Sequence, residues 1–149
     1  MVTSAQCLKK YGEPEKENNM VLWDVPTELE IGVIPKRIYC NKDLIEPLSK
    51  AFKALIDTGA VNELKTWDGC FNIRKKRGLN SSSLHSWGIA IDMNQSHNRL
   101  GLTRQKAIEM GLTPFTDKFV KCFTDNGMDW GGDWVNRKDM MHFQLSKIC

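Results

Sequence analysis

The tightest constraint on this chain is a strict alternation. Ile89, Ile91 and Met93 interleave with Ala90, Asp92 and Asn94. A period of two is a β-strand with one apolar face. Such a strand needs a sheet beside it and a layer behind it. Its other face carries an acid, and His85 precedes that acid within the stretch SLHSWGIAID. Gly88 and Ala90 are read as small residues on the face of Asp92, leaving room for a group to approach the backbone.

The layer behind is legible too. Leu44, Ile45, Leu48, Phe52, Leu55 and Ile56 form one helical stripe, opened by Asn41 or Asp43 and closed by Gly59. Thr3 or Ser4 caps a first helix that stops at Gly12. Thr103 caps one running to Gly111. Pro114 is read in the first turn of another, with Phe115, Phe119, Val120 and Phe123 on its apolar side and Gly127 as its stop. Strands are expected over 22–25, 37–40, 64–73 and 140–145. Strands and helices mix without a βαβ rhythm. The fold class expected is therefore α+β, a small antiparallel sheet with helices packed on it.

The chain has 149 residues, one ordinary domain's length, and 41% of them are hydrophobic. Charges interrupt every apolar run, which excludes a membrane span. The first residues have no apolar stretch of signal-peptide type, so the protein is expected to be made in a cytoplasm. The five cysteines are scattered with no C-x-x-C pair, which argues against a thiolate metal site or a disulfide framework. The net charge of +3 is mild. The basic run Arg74-Lys75-Lys76-Arg77 is read first as a solvated loop, with attraction of an anionic polymer as the alternative. No nucleic-acid motif accompanies it, and nucleic acid is not expected as a partner.

The chemistry concentrates at His85 and Asp92. An imidazole and a carboxylate are both good zinc ligands, and two alone bind poorly. The third has two sources, His97 and His142. His97 sits among turn formers and reads as a surface residue. His142 lies on the last strand, as a satisfied core residue or as a ligand, and Asp139 stands just before it. A zinc hydrolase needs three protein ligands, an open position and a carboxylate beside the water. His85, Asp92, His142 and Asp139 would meet that need. The intervening FTDNGMDWGGDW is either a substrate wall or a tight turn with its tryptophans in the core.

These residues carry a resemblance. Ser83, His85, Gly88, Ala90 and Asp92, then Trp130-Gly131-Gly132-Asp133-Trp134, then Asp139 with His142-Phe143, match S-x-H-x-x-G-x-A-x-D, W-G-G-D-W and D-x-x-H-F. That pattern resembles the zinc D-Ala-D-Ala carboxypeptidase and L-alanyl-D-glutamate endopeptidase family, related to hedgehog-like zinc folds. It spans roughly 66–145. The small chain is most similar to the family's phage endolysins.

The resemblance implies Zn2+ held by His85, Asp92 and His142, with Asp139 as general base. Many relatives carry Glu at that position, so the shorter Asp139 must sit closer to the water. Arg74 would stabilise the oxyanion, with Arg77 as its competitor for that role. Ser83, Trp87 and Trp134 are the expected substrate contacts, although Ser83 also reads as a turn residue and either tryptophan as core. The function implied is cleavage of the peptidoglycan stem peptide by an L-alanyl-D-glutamate endopeptidase of endolysin type. Such a monomer would wait in the host cytoplasm for release through a holin. The alternatives are a D-Ala-D-Ala carboxypeptidase or dipeptidase, and an inactive wall-binding module of the same fold. One peptidase domain is expected over 1–149, with 1–35 as an arm or cap and 36–149 as the catalytic core.

Overall fold

A computed structural model of the chain describes residues 1–76 and 81–148. Its centre is a four-stranded antiparallel sheet. The strands are β3 (Trp67–Gly69), β4 (Ala90–Met93), β5 (Met128–Trp130) and β6 (His142–Leu145), in spatial order β3-β4-β6-β5. The remaining strands, β1 (Met20–Asp24) and β2 (Arg37–Asn41), pair as a separate antiparallel ribbon. The helices are α1 (Ser4–Tyr11), α2 (Ile45–Thr58), α3 (Arg104–Glu109) and α4 (Asp117–Thr124). The fold class is α+β, as the sequence implies.

Register in the central pair decides the layout. Ile91 stands opposite Phe143, and Asp92 opposite His142. Neighbours across an antiparallel pair point to the same face, and consecutive residues point to opposite faces. One face therefore receives Ile91 and Phe143, both fully buried. Helix α4 covers it. The Phe143 ring lies 4.7 Å from Phe123 and 5.8 Å from Phe115, and Phe115 stacks on Phe119 at 4.1 Å. Helix α2 packs beside α4 through Leu48, Ala51, Phe52 and Leu55, all fully buried. Burying each large apolar side chain contributes about 1.5–3 kcal/mol. This layer makes the sheet rigid enough to carry polar groups on its other face.

Several expected boundaries move. The strand expected over 64–73 survives only as β3, with a register shift between Trp67 and Gly69. Beyond it the backbone turns to the His85 region: the Cys70 carbonyl accepts from the His85 ring and the Asn72 amide donates to the His85 carbonyl. The helix expected from Pro114 starts at Asp117 instead. The Phe115 amide donates to Asn98 Oδ1, and the Thr116 hydroxyl caps the helix by accepting from the Phe119 amide. The strand expected over 140–145 begins at His142. The chain from Met128 to Trp130 forms β5, which local periodicity could not reveal because it is three residues long and bounded by glycines. Gly88 is not on the strand. It caps the 3₁₀ turn Leu84–Trp87 at φ 69°, and an added Cβ would meet the Met20 side chain and, at 2.8 Å, the Asn41 backbone nitrogen. It is small because the ribbon lies against it.

Among the described residues no helix is long and apolar enough to cross a membrane. Cys7, Cys40, Cys70 and Cys122 are buried free thiols; Cys149 lies outside the described residues.

Candidate active site

The polar face of the sheet is the floor of a cleft of about 440 Å³, lined by His85, Asp92, His142, Asp139, Arg74 and Trp134 among others. Three elements bring the central groups together. Strand β4 supplies Asp92 and β6 supplies His142 directly opposite. The 3₁₀ turn supplies His85, and the Ser83 hydroxyl caps that turn by accepting from the His85 amide. Ligand atoms of His85, Asp92 and His142 all lie within 4.8 Å of one another.

Each imidazole is held from behind. His85 Nδ1 is 2.7 Å from the Cys70 carbonyl oxygen, which can only accept, so Nδ1 carries the proton and Nε2 presents a lone pair to the cleft. His142 Nε2 is 2.9 Å from Gln144 Oε1, so the same reasoning leaves His142 Nδ1 as its free acceptor. His85 Nε2 lies 3.2 Å from Asp92 Oδ2, and His142 Nδ1 lies 3.5 Å from Asp92 Oδ1. Yet His85 Nε2 and Asp92 Oδ1 are buried without any hydrogen-bond partner. Close approach without hydrogen-bond alignment means that the atoms converge on a common point. Buried polar atoms left unpaired are costly. Two neutral nitrogens and a carboxylate are the donor set of a catalytic zinc site, and a cation at the common point would satisfy all of them. The residues present fit such an ion.

Electrostatics follow from this crowding. Burial pushes the Asp92 carboxyl up, but the two histidines outweigh it and hold Asp92 well below the usual carboxylate range. Burial pulls His142 down, and Asp92, Asp139 and Gln144 more than reverse that, leaving it raised. Asp139 is raised, chiefly by burial and also by Asp92, with His142, His85 and Arg74 opposing. Its Oδ1 is a further buried atom without a partner. A carboxylate biased toward holding a proton, beside a metal-type donor set, has the character of a general base.

The stretch 130–134 divides between the two readings open from sequence. Trp130 belongs to the core, stacked on Phe143 at 6.4 Å with its indole N–H donating to the Met140 carbonyl. Trp134 belongs to the cleft, its ring 5.2 Å from His142. The glycines between them are packing requirements. A Cβ on Gly131 would stand 2.3 Å from the Asp139 carbonyl oxygen, and one on Gly132 would stand 2.2 Å from the Trp130 ring.

The other expected contacts separate. Ser83 lines the cleft but is 5% exposed and engaged in capping. Trp87 is corrected. It is 5% exposed, is not among the residues lining this cleft, and donates its indole N–H to the Gly12 carbonyl, which ties α1 to the core. Arg74 lines the cleft, positioned by the Ser86 hydroxyl on its amide and by the Ser83 amide on its carbonyl. Arg77, its competitor, lies outside the described residues. Of the described residues of the basic run, Lys76 lines the cleft together with Arg74. His97 takes no part, and its Nδ1 accepts from the Thr113 amide. Sequence reasoning missed Gln144 and the Cys70 carbonyl as the groups that set the imidazole protons. Gln144 was visible as the residue sharing the His142 face of β6. The carbonyl had no sequence signal.

A model of the D-alanyl-D-alanine carboxypeptidase family matches residues 76–145, just under half of the chain. The match takes in all three clustered residues and Asp139, and stops short of Arg74. The crystal structure of the Serratia marcescens L-Ala D-Glu endopeptidase ChiX is similar at 16% sequence identity, over 72% of this chain and 80% of that one, with a TM-score of 0.39. No curated protein sequence matches the chain.

Proposed function

We propose, from the match of residues 76–145 to a model of the D-alanyl-D-alanine carboxypeptidase family, that the protein is a zinc peptidase that cuts the stem peptide of bacterial peptidoglycan as an L-alanyl-D-glutamate endopeptidase. The observation that carries the proposal is the convergence of His85 Nε2, His142 Nδ1 and the Asp92 carboxylate on the floor of an open cleft, with His85 Nε2 and Asp92 Oδ1 buried and unpaired.

His85, Asp92 and His142 hold the ion. Zinc, when bound, supplies Lewis acidity toward the scissile carbonyl and makes water acidic enough to attack near neutral pH. The Cys70 carbonyl and Gln144 keep both imidazoles in the ligating tautomer. Asp139 takes the proton of the attacking water and passes it to the leaving amine nitrogen, a transfer its raised affinity for protons favours. Arg74 stabilises the oxyanion from the cleft wall. Trp134 forms the wall beside His142. Ser83 acts through His85, as the residue that sets its turn.

The N-terminal arm belongs to the same peptidase domain. The Ser4 hydroxyl donates to the Ser82 carbonyl, and Met1 and Val2 reach the cleft. The biological role that fits is that of an endolysin, a monomer held in the host cytoplasm until a holin admits it to the wall.

The family description favours one second reading, a D-Ala-D-Ala carboxypeptidase with the same site. Digestion of purified muropeptides by the zinc-loaded protein, read by mass spectrometry, separates them. Release of the whole stem from L-Ala is the expected result. Loss of terminal D-Ala alone would replace the endopeptidase by the carboxypeptidase. Intact muropeptides with stoichiometric zinc would remove both.

A further inference from the structure

We infer that helix α1 is a strap across the turn that bears His85, and that it carries Val2 onto the cleft wall as a specificity-determining residue, packed against the alanine methyl of the substrate. The inference rests on the peptidase reading and deepens it, because it names the apolar group that the peptide must offer beside the scissile bond.

The strap is the first observation. Both ends of α1 are fastened to the same 3₁₀ turn, Leu84–Trp87. At its start the Ser4 hydroxyl donates to the Ser82 carbonyl at 2.6 Å, one residue before the Ser83 cap of that turn. At its end the Gly12 carbonyl accepts the indole N–H of Trp87, the last residue of the turn, at 2.8 Å. A capping box at Thr3 and Gln6 closes the helix itself. Its buried side, Cys7 and Tyr11, packs inward, and the Tyr11 hydroxyl donates to Asp43, just ahead of α2. A helix of eight residues has little stability of its own, so these ties decide where it lies.

What the strap delivers is the second. Val2 stands two residues before the Ser4 tie, is 6% exposed and lines the cleft. Leu84, next to His85, lines it as well. The His85 end of the cleft thus has an apolar wall, as the His142 end has Trp134. Met1 and Val2 also line a second groove, of about 560 Å³, together with Gln6 and Lys9. The arm therefore stands between the two spaces and ends the cleft on that side. A fixed apolar wall beside a polar floor selects an apolar group of its ligand. In an L-alanyl-D-glutamate bond the alanine methyl is the one wholly apolar side chain.

The test uses two synthetic peptides, N-acetyl-L-Ala–γ-D-Glu–diamino acid and its counterpart with glycine in place of alanine. Affinity is measured by calorimetry on the full zinc-loaded chain, and kcat/KM is measured separately. The wild type is expected to favour the alanine peptide about tenfold in both, the order of one methyl group in an apolar pocket. Val2→Gly should bring that ratio close to one. Val2→Thr, which keeps the shape and adds a hydroxyl, should lower it part of the way. Trp87→Phe removes the N–H donor of the strap. It should lower the ratio and weaken zinc together, each by about three- to tenfold, the worth of one hydrogen bond. Competition with a chelator reads the zinc, and thermal melts confirm that each variant is folded. A wild type that treats both peptides alike, or a ratio unchanged in both Val2 variants, would overturn the wall. Unchanged zinc affinity in Trp87→Phe would overturn the strap. Discrimination in binding without cleavage supports the wall and removes the peptidase reading, whereas cleavage without discrimination does the reverse. Binding of neither peptide overturns the inference.

Discussion

The floor and the rim of the cleft are built on opposite principles. On the floor His85 and His142 are almost fully buried, and Asp92 is 16% exposed. Each imidazole is locked by one hydrogen bond from behind, and each of the three clustered residues sits on a strand or a capped turn. On the rim Arg137 is exposed, Val135 is 91% exposed, and the backbone is a turn. The floor has atoms without partners because an ion would complete them. The rim has exposed side chains that a ligand can cover. Chemistry in such a site belongs to the rigid floor and selection to the walls around it.

Breaking the floor should have the largest effect. His85→Ala is expected to abolish stoichiometric zinc binding and bring peptide cleavage to background, with the fold retained by circular dichroism. Elemental analysis of the purified variant checks it. Zinc retained at one per chain would move the metal away from these residues.

Asp139→Asn comes next. It should keep the zinc and lower kcat by about 10²–10⁴-fold, the usual contribution of a general base. Steady-state kinetics beside a zinc assay tests this.

A smaller effect is expected one shell out. Gln144→Leu frees the proton-bearing nitrogen of His142 and should weaken metal affinity by about 10–100-fold. Competition with a chelator measures it. An unchanged affinity would show that β6 alone orients the ring.

The smallest effect is one of stability. In the metal-free protein His142 is raised above its ordinary value. A group raised on folding stabilises below its unfolded pKa and loses that contribution as pH rises through the folded value. Asp92 is depressed, so its contribution is present above the unfolded carboxylate range and lost on acidification. The metal-free Tm should therefore be highest between the ordinary carboxylate and ordinary imidazole ranges, and decline as pH rises from there through the raised His142 value. Zinc binds neutral imidazole, so its stabilisation should grow as pH rises. Melting curves with and without zinc across pH test the sign.

The local patterns needed little help from the fold. Alternation at 89–94 determined β4, and the apolar stripe ending at Gly59 determined α2, because both periods repeat over enough residues to leave no other way of burying the apolar side. Histidines and acids at matching spacing marked the site residues. Other features depend on neighbours distant in sequence, and only tertiary structure decided them. Strand β5 exists because β6 lies beside it to accept its hydrogen bonds. Gly88 is glycine because Met20 and Asn41 press on it, and Gly131 because the Asp139 carbonyl does. Trp87 and Trp134 look alike in sequence, yet one ties down the N-terminal helix and the other faces His142. The proton on each imidazole was placed by a backbone carbonyl and by an amide side chain that came into reach only on folding. Periodicity is a property of the chain, but the closeness of Asp92 to His142 is a property of strand register, set by long-range burial of Ile91 against Phe143.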